Sequence, residues 1–356
     1  MTTRVGLVGC GFIGTVHSFV LHALVKSGVV DARVTATHDE DHGRAVRIAE
    51  QHDATAYERV EELLDAVDVV WVCTWTAAHL PIVRAAVERN LAVSCEKPLA
   101  PTLADCEEVA DLLDRVPHQV GLVLRYAAVF RHMADEVSSG RHGAPLAAVL
   151  RDDQYFPIQG QYGSEWRADV TKAGGGTLIE HSIHDVDVLQ WILGDPASVR
   201  ADVAARFGHQ GIDDVAMLTL GYRHGAMATL VSVWHRVLSR PSLRRLEVFC
   251  ERALLWTDND HLGPLHVETA DGATEIAGAM PEWASLLDVP EEFLGPIVQY
   301  AEPTKAFLDS LARGDGATGW PDAAIALRAH RVVDAAYRSA ADGGTVILIG
   351  SETPRR

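Results

Sequence analysis

The sequence predicts an α/β protein of two domains: a doubly wound parallel sheet first, then an α+β domain with an open, mainly antiparallel sheet. Three observations carry this. Up to residue 124, short apolar runs alternate with helix-like stretches, the pattern of parallel strands covered on both faces. Beyond Tyr126 the apolar runs lengthen, alternate and are split by turn signals such as YRHGA and ETADGAT, as in antiparallel hairpins. A chain of 356 residues is also longer than one core usually serves, which places the domains at 1–124 and 125–356.

The elements follow in order. RVGLVGC (4–10) is a short apolar run and reads as the first strand, with a helix from Phe12 to Lys26. ARVTATHD (32–39) is a second strand and DHGRAVRIAEQH a second helix. DVVWVCT (68–74) and LAVSCE (91–96) are further strands, each followed by a helix, LPIVRAAVERN and TLADCEEVADLLDRV. HQVGLVL (118–124) is the fifth strand. In the second domain the β-like runs are APLAAVLRDDQYF, SVRADVAARF, DVAMLTLGYRHGAMATLVSVWH, LRRLEVFCERALLWT and PLHVETADGATEIA. AMPEWASLLDVPEEFLGPIVQY holds three prolines and reads as a loop over the site. Helices return over 302–314 and 322–344, expected to pack back near the first domain, and GTVILIG is a last strand. The tail SETPRR is expected to fray.

Composition narrows the function. Hydrophobic residues make up 48% and charged ones 22%, so the chain can build cores and is not a disordered type. A formal net charge of -18 argues against nucleic acid or an anionic membrane as partner, since both need a basic surface. No apolar run is long enough to span a bilayer. The first residues lead straight into VGLVGCGFIG without a cleavage signal. Cys10, Cys73, Cys95, Cys106 and Cys250 are scattered and lack a CxxC pair. They fit reduced, buried thiols of a cytoplasmic protein and give no zinc signature.

GCGFIG places Gly9, Gly11 and Gly14 between a strand and a helix, the context a dinucleotide cradle requires. The first glycine permits the tight turn, the second lets a pyrophosphate reach the backbone, and the third lets helix and strand pack closely. The helix dipole adds attraction for phosphate. Asp39 ends the second strand, where a carboxylate accepts bonds from an adenosine ribose. Glu40 follows it and would repel a 2′-phosphate, so NAD is expected over NADP, although Arg44 lies within reach. CEKP closes the fourth strand and aims Lys97 at the crevice where ligands of such sheets bind. There an ammonium can support an alkoxide as hydride leaves.

GCGFIG, VCTWTAAH (72–79), CEKPLA, GLVLRY (121–126), WRAD…GGGTLIEHSIHDVDVLQWILG (166–194) and DAAYRSAADGGTVIL occur in this order. Together they resemble the glucose–fructose oxidoreductase/inositol dehydrogenase (Gfo/Idh/MocA) family along essentially the whole chain. The resemblance implies a Rossmann domain, NAD as cofactor, and a homodimer or homotetramer formed through the open sheet. It implies cofactor contacts at Gly9, Gly11, Phe12, Ile13, Gly14, Asp39, Thr74, His79, Glu96 and Lys97. Trp75 departs from a proline common in the family, and Val123 and Leu124 replace residues that are often polar or aromatic.

In the family the segment after the glycines carries an acid and, four residues on, a histidine, here Glu180 and His184. On one helix that spacing shares a face. His184 suits the general base for a hydroxyl proton, Lys97 the alkoxide support, and Glu180 the orientation of substrate or base. Glu180 replaces the usual aspartate. His181 lies about 100° round the helix and reads as a neighbour, and Asp185 and Asp187 as hydrogen-bonded structure. A metal is not expected, because HExxH spacing is missing. Arg125, Gln154, Tyr155 and Trp166 are candidate substrate contacts, and His17 is as suited to packing as to function. The expectation is an NAD-dependent dehydrogenase acting on a secondary hydroxyl of a cyclitol, sugar or glycoside. Two rivals stand: a redox-neutral NAD-using glycosidase of the same superfamily, and a non-catalytic NAD-binding regulator.

Overall fold

The computed structural model describes residues 2–314 and 319–350; the tail SETPRR lies outside the described residues. The chain divides into two compact units, Met1–Tyr126 with Thr171–Ala173 and Met280–Leu327, and Ala127–Val170 with Gly174–Ala279 and Arg328–Arg356.

The first unit opens with β1 (Thr3–Val8), α1 (Phe12–Lys26), β2 (Ala32–His38), α2 (His42–His52), β3 (Thr55–Ala56) and α3 (Val60–Leu64). It continues with β4 (Val69–Val72), α4 (His79–Glu88), β5 (Ala92–Cys95), α5 (Leu103–Leu113) and β6 (His118–Val120). All strands pair in parallel, in the order β3-β2-β1-β4-β5-β6. Every residue of β4 is buried. Val69 and Trp71 enter the core of one face, and Val70 and Val72 that of the other. A strand period of two thus serves both helical layers. The two-residue β3 and the single-turn α3 are too short to announce themselves as a periodic pattern. The fifth expected strand stops early: β6 ends at Val120, and Val123–Tyr126 form a 3-10 turn.

The second unit contains α6 (Ala128–Ser138), β7 (Pro145–Tyr155), α8 (Thr177–Glu180) and α9 (Ile183–Leu193), while α7 (Val170–Ala173) belongs from Thr171 on to the first. Its strands continue with β8 (Ser198–Ala204), β9 (Val215–Gly221), β10 (Met227–His235), β11 (Leu243–Cys250), β12 (Ala253–Thr257), β13 (Leu265–Thr269) and β14 (Gly272–Ile276). Of the last elements, α10 (Glu291–Arg313) belongs to the first unit, α11 (Ala323–Ala341) to the first unit up to Leu327 and to the second from Arg328, and β15 (Ile347–Leu348) to the second. The sheet order is β14-β13-β12-β11-β7-β10-β9-β8-β15. Among the described residues of this sheet, β7 and β10 alone run parallel; the other pairs are antiparallel. One face is buried, with Ala148, Leu150, Leu218, Leu230, Leu246 and Val248 inward. The opposite face exposes Val149, Met217, Met227 and Phe249.

One expectation is corrected. The proline-bearing stretch read as a loop is helical from Glu291 on, with Pro296 inside α10. A mid-helix proline forfeits a backbone bond. Packing outweighs it: Leu294, Ile297, Tyr300, Ala301, Phe307 and Leu308 join the first unit's apolar core with Trp71 and Leu24. The five cysteines are free and buried. No described helix is long and apolar enough to cross a membrane.

Candidate active site

In the first unit the glycine loop is set by close approach. Gly9 has φ +92, and a side-chain carbon there would lie 2.6 Å from the Cys73 carbonyl carbon. One on Gly14 would lie 1.9 Å from the Gly9 oxygen, whereas one on Gly11 would meet nothing within 4 Å. Backbone and helix pack tightly at the first and third glycine, and space lies over the second. α1 begins without a side-chain cap and with no acid in its first turn, so its positive end is left for an anion. Asp39 accepts the Cys10 N–H at 2.7 Å and the Asp41 N–H at 2.8 Å. A carboxylate has about four acceptor positions, so capacity remains for ribose hydroxyls. Arg44, the cation that could answer a 2′-phosphate, pairs with Asp41 at 3.3 Å. Burial and the charge of Asp39 push the Cys10 thiol up to about 12, so it adds no negative charge to the cradle. These residues fit NAD.

The loop after β1, Thr74 after β4 and Lys97 after β5 all lie at the carboxyl edge of the sheet. The chain order reverses between β1 and β4, the switch point where doubly wound sheets bind ligands. Thr74 Oγ1 is buried without a hydrogen-bond partner among the described residues, as a contact waiting for a ligand would be. His79 faces backbone instead: Nδ1 is 2.8 Å from the Pro98 oxygen and Nε2 3.2 Å from the Thr74 oxygen. It ties the β4 and β5 turns together.

Glu96 also turns inward. One oxygen is 2.7 Å from His17 Nε2, and the other accepts the Lys97 N–H at 3.1 Å. Burial pushes this carboxyl up, but the His17 bond and the charges of His17 and Lys97 outweigh it and hold it below its usual value. Arg125 is buried, sits in the 3-10 turn instead of at a strand end, and lies over the Trp320 ring at 5.4 Å.

In the second unit Asp213 organises the glycines. Its carboxylate accepts the Gly176 N–H at 2.7 Å, the Leu178 N–H at 3.0 Å and the Tyr337 hydroxyl at 2.8 Å. A side-chain carbon on Gly176 would lie 1.8 Å from the Asp213 carbonyl oxygen. Asp213 thereby satisfies the start of α8, as a cap residue would. Thr177 and Ser182 both bond Ser232 of β10, at 2.7 and 2.6 Å. The expected single helix through Glu180 and His184 is therefore corrected: α8 ends at Glu180 and α9 begins at Ile183. The Ser182 N–H reaches back to the Thr177 oxygen at 2.8 Å, a wide turn that breaks the register, so a shared face does not follow from spacing.

Glu180 is buried and accepts Arg167 Nε at 3.1 Å. The Arg167 guanidinium lies over the Trp166 ring at 4.4 Å, so Trp166, Arg167 and Glu180 form one assembly. Gln154 is buried on the covered face of β7; Tyr155 is on the other face, 5.4 Å from the Tyr162 ring. Beside His184, Asp185 belongs to a buried charge cluster. Arg244 donates to Asp185 at 2.6 Å, to Asp152 at 2.9 Å and to Asp260 at 2.5 Å. His181 Nε2 lies 2.7 Å from Asp152. Burial, opposed by Arg244 and reinforced by Asp152, pushes the Asp185 carboxyl up to about 7. Arg167 and Arg244 were missed from the sequence. WRAD offered the first through its neighbour Trp166, while nothing local marks the second. Among the described residues, no group of three or more His, Cys, Asp or Glu is arranged to hold a metal.

Comparison with known proteins adds the family. Residues 3–123 match the GFO/IDH/MocA model described as an oxidoreductase family with an NAD-binding Rossmann fold, and residues 130–255 match the GFO/IDH/MocA C-terminal domain. A 1,5-anhydro-D-fructose reductase of Ensifer adhaerens is 32% identical over 237 residues, 63% of this chain and 67% of that protein. A myo-inositol 2-dehydrogenase of Thermotoga maritima is 28% identical over 268 residues, 72% of this chain and 75% of that one. The structure of a levoglucosan dehydrogenase with NADH and levoglucosan shares the fold. Its TM-score is 0.85 at 19% identity, covering 99% of this chain and 100% of that chain.

Proposed function

Because this chain belongs to the GFO/IDH/MocA oxidoreductases, we propose that it oxidises a secondary hydroxyl of a cyclitol, sugar or glycoside, with His184 as general base and Lys97 as support for the alkoxide. Bound NAD supplies the hydride acceptor. The reading is supported by Gly9–Gly14, Thr74 and Lys97 following β1, β4 and β5 at the carboxyl edge of one parallel sheet, beside its switch point. His184 takes the hydroxyl proton. Lys97 stabilises the negative oxygen that results. Glu180, held by Arg167, orients a substrate hydroxyl. The polyol class is supported by the inositol and anhydrofructose enzymes among the relatives. The exposed apolar face of the second sheet suits a second copy of the chain, making a homodimer or homotetramer.

The test is NADH formation from NAD across inositols, free sugars and glycosides, with Lys97→Ala and His184→Ala alongside. Each substitution is expected to lower kcat/KM by about 10²–10⁴-fold. Wild-type turnover in either variant removes that residue from the reaction. A glycoside cleaved without net NADH points to the redox-neutral chemistry instead.

A further inference from the structure

Three segments of the first unit meet on one buried carboxylate. Glu96 follows β5 and is 6% exposed. Its Oε1 is 2.7 Å from His17 Nε2 of α1, and its Oε2 accepts the backbone N–H of Lys97 at 3.1 Å. The third segment is the end of β6. A side-chain carbon on Gly121 would lie 2.7–2.9 Å from the carboxylate atoms, so the space Glu96 occupies exists only because residue 121 is glycine.

His17 is 5% exposed. Its ring meets Tyr300 edge-on at 5.7 Å, and its Nδ1 is buried without a hydrogen-bond partner among the described residues. An orphaned buried nitrogen is costly, because its bonds to water are lost and not replaced. An apolar side chain of similar size would pack there without that cost, so packing does not account for a histidine. The bond to Glu96 does. His17 lies about 7.5 Å along α1 from the helix start at Phe12, on the same continuous helix. The His17–Glu96 bond therefore links the helix that receives the cofactor phosphates to the turn that carries Lys97.

We propose that His17 is a positioning residue for Lys97, acting through Glu96 to couple seating of the dinucleotide on α1 to the placement of the lysine turn. The inference rests on the reading of Lys97 as the group that supports the alkoxide. Displacing a reacting group by about 1 Å costs about 10²-fold in rate, and His17 is the side chain that keeps α1 and this turn in one frame.

The experiment compares His17→Leu, which fills the volume without a donor, with His17→Gln, which keeps one. Backbone hydrogen exchange is followed by mass spectrometry with NAD alone as the probe. In the wild type, NAD is expected to protect both the glycine loop and the peptide covering 95–100. His17→Leu keeps protection at the loop and loses it at 95–100; His17→Gln retains both. With a turned-over substrate, His17→Leu lowers kcat about 10–100-fold and leaves the NAD dissociation constant within about threefold, a twofold to threefold change being below 1 kcal/mol. Protection at 95–100 that persists in His17→Leu overturns the inference, as does equal loss in both variants. If His17→Leu does not fold, Glu96→Gln carries the test: lowered kcat with intact NAD binding supports the coupling, and wild-type kcat overturns it. Lys97→Ala separates the two levels. Wild-type turnover in that variant sinks the lysine reading and this inference with it. A dead Lys97→Ala beside a fully active His17→Leu sinks the inference alone.

Discussion

Replacing Asp185 by Asn should make the protein more stable at neutral pH, although Asp185 is fully buried and bonded to an arginine. Three carboxylates share the one Arg244 guanidinium, which leaves more negative charge than that cation can balance and favours a proton on a carboxylate. Asp185 is that one: its carboxyl is pushed from 3.8 up to about 7, by burial first and then by Asp152. Its Oδ2 is buried and meets no hydrogen-bond donor among the described residues, the position a proton shared with Asp152 would take. Between these two values the folded state holds a proton that the unfolded state has released. Wild-type stability therefore falls as pH rises through the window and levels off above about 7. At about 1.4 kcal/mol per pH unit, the deficit reaches as much as about 4 kcal/mol. Asparagine keeps the shape, accepts from Arg244, donates toward Asp152 and does not titrate. The stability difference between variant and wild type should thus open from about pH 4 to about pH 7 in the variant's favour and then stay constant. Each kcal/mol corresponds to about 2–4 °C in Tm for a unit of this size. Thermal melts of both proteins across the window check it. Parallel curves would mean that Asp185 is ionised throughout and that the charge balance inferred for the cluster is wrong.

Gly14→Ala sets a methyl group 1.9 Å from the Gly9 oxygen. Fluorescence titration should show NAD affinity reduced more than about tenfold, with about 1–3 kcal/mol of stability lost in the melt; unchanged affinity would show that the loop re-forms elsewhere. Asp39→Ala removes the acceptor of the Cys10 N–H and, on the proposed reading, that of the adenosine ribose. The NAD dissociation constant should rise about 10–100-fold, as for loss of hydrogen bonds to a charged group. Parallel titration with NADP, expected to change much less, is the control.

The parallel sheet was legible because each of its longer strands is a short apolar run and each helix an amphipathic one. β3 and α3 escaped because a two-residue strand has no period to read. The second half of α10 is legible as a helix from Glu302, but its first half reads as a loop because Pro296 is a local signal, whereas its compensation by the core around Trp71 and Phe307 is not. Glu96 and Lys97 could be picked out as neighbours in a motif, but that Glu96 turns inward to His17, 79 positions away, is invisible in one dimension. The same holds for Arg244, which meets Asp185 and Asp152 from 59 and 92 positions away.

Periodicity, glycine spacing and the acid ending the second strand determine the fold class and the dinucleotide cradle, because those depend on contacts within a strand–turn–helix unit. Three things were left to the tertiary structure: the break between α8 and α9, the burial of Glu180 beneath Arg167, and the partners of Glu96 and Asp185. Each arises where charges or backbone groups brought together from distant segments must be neutralised or hydrogen-bonded away from water, and folding alone decides which groups those are.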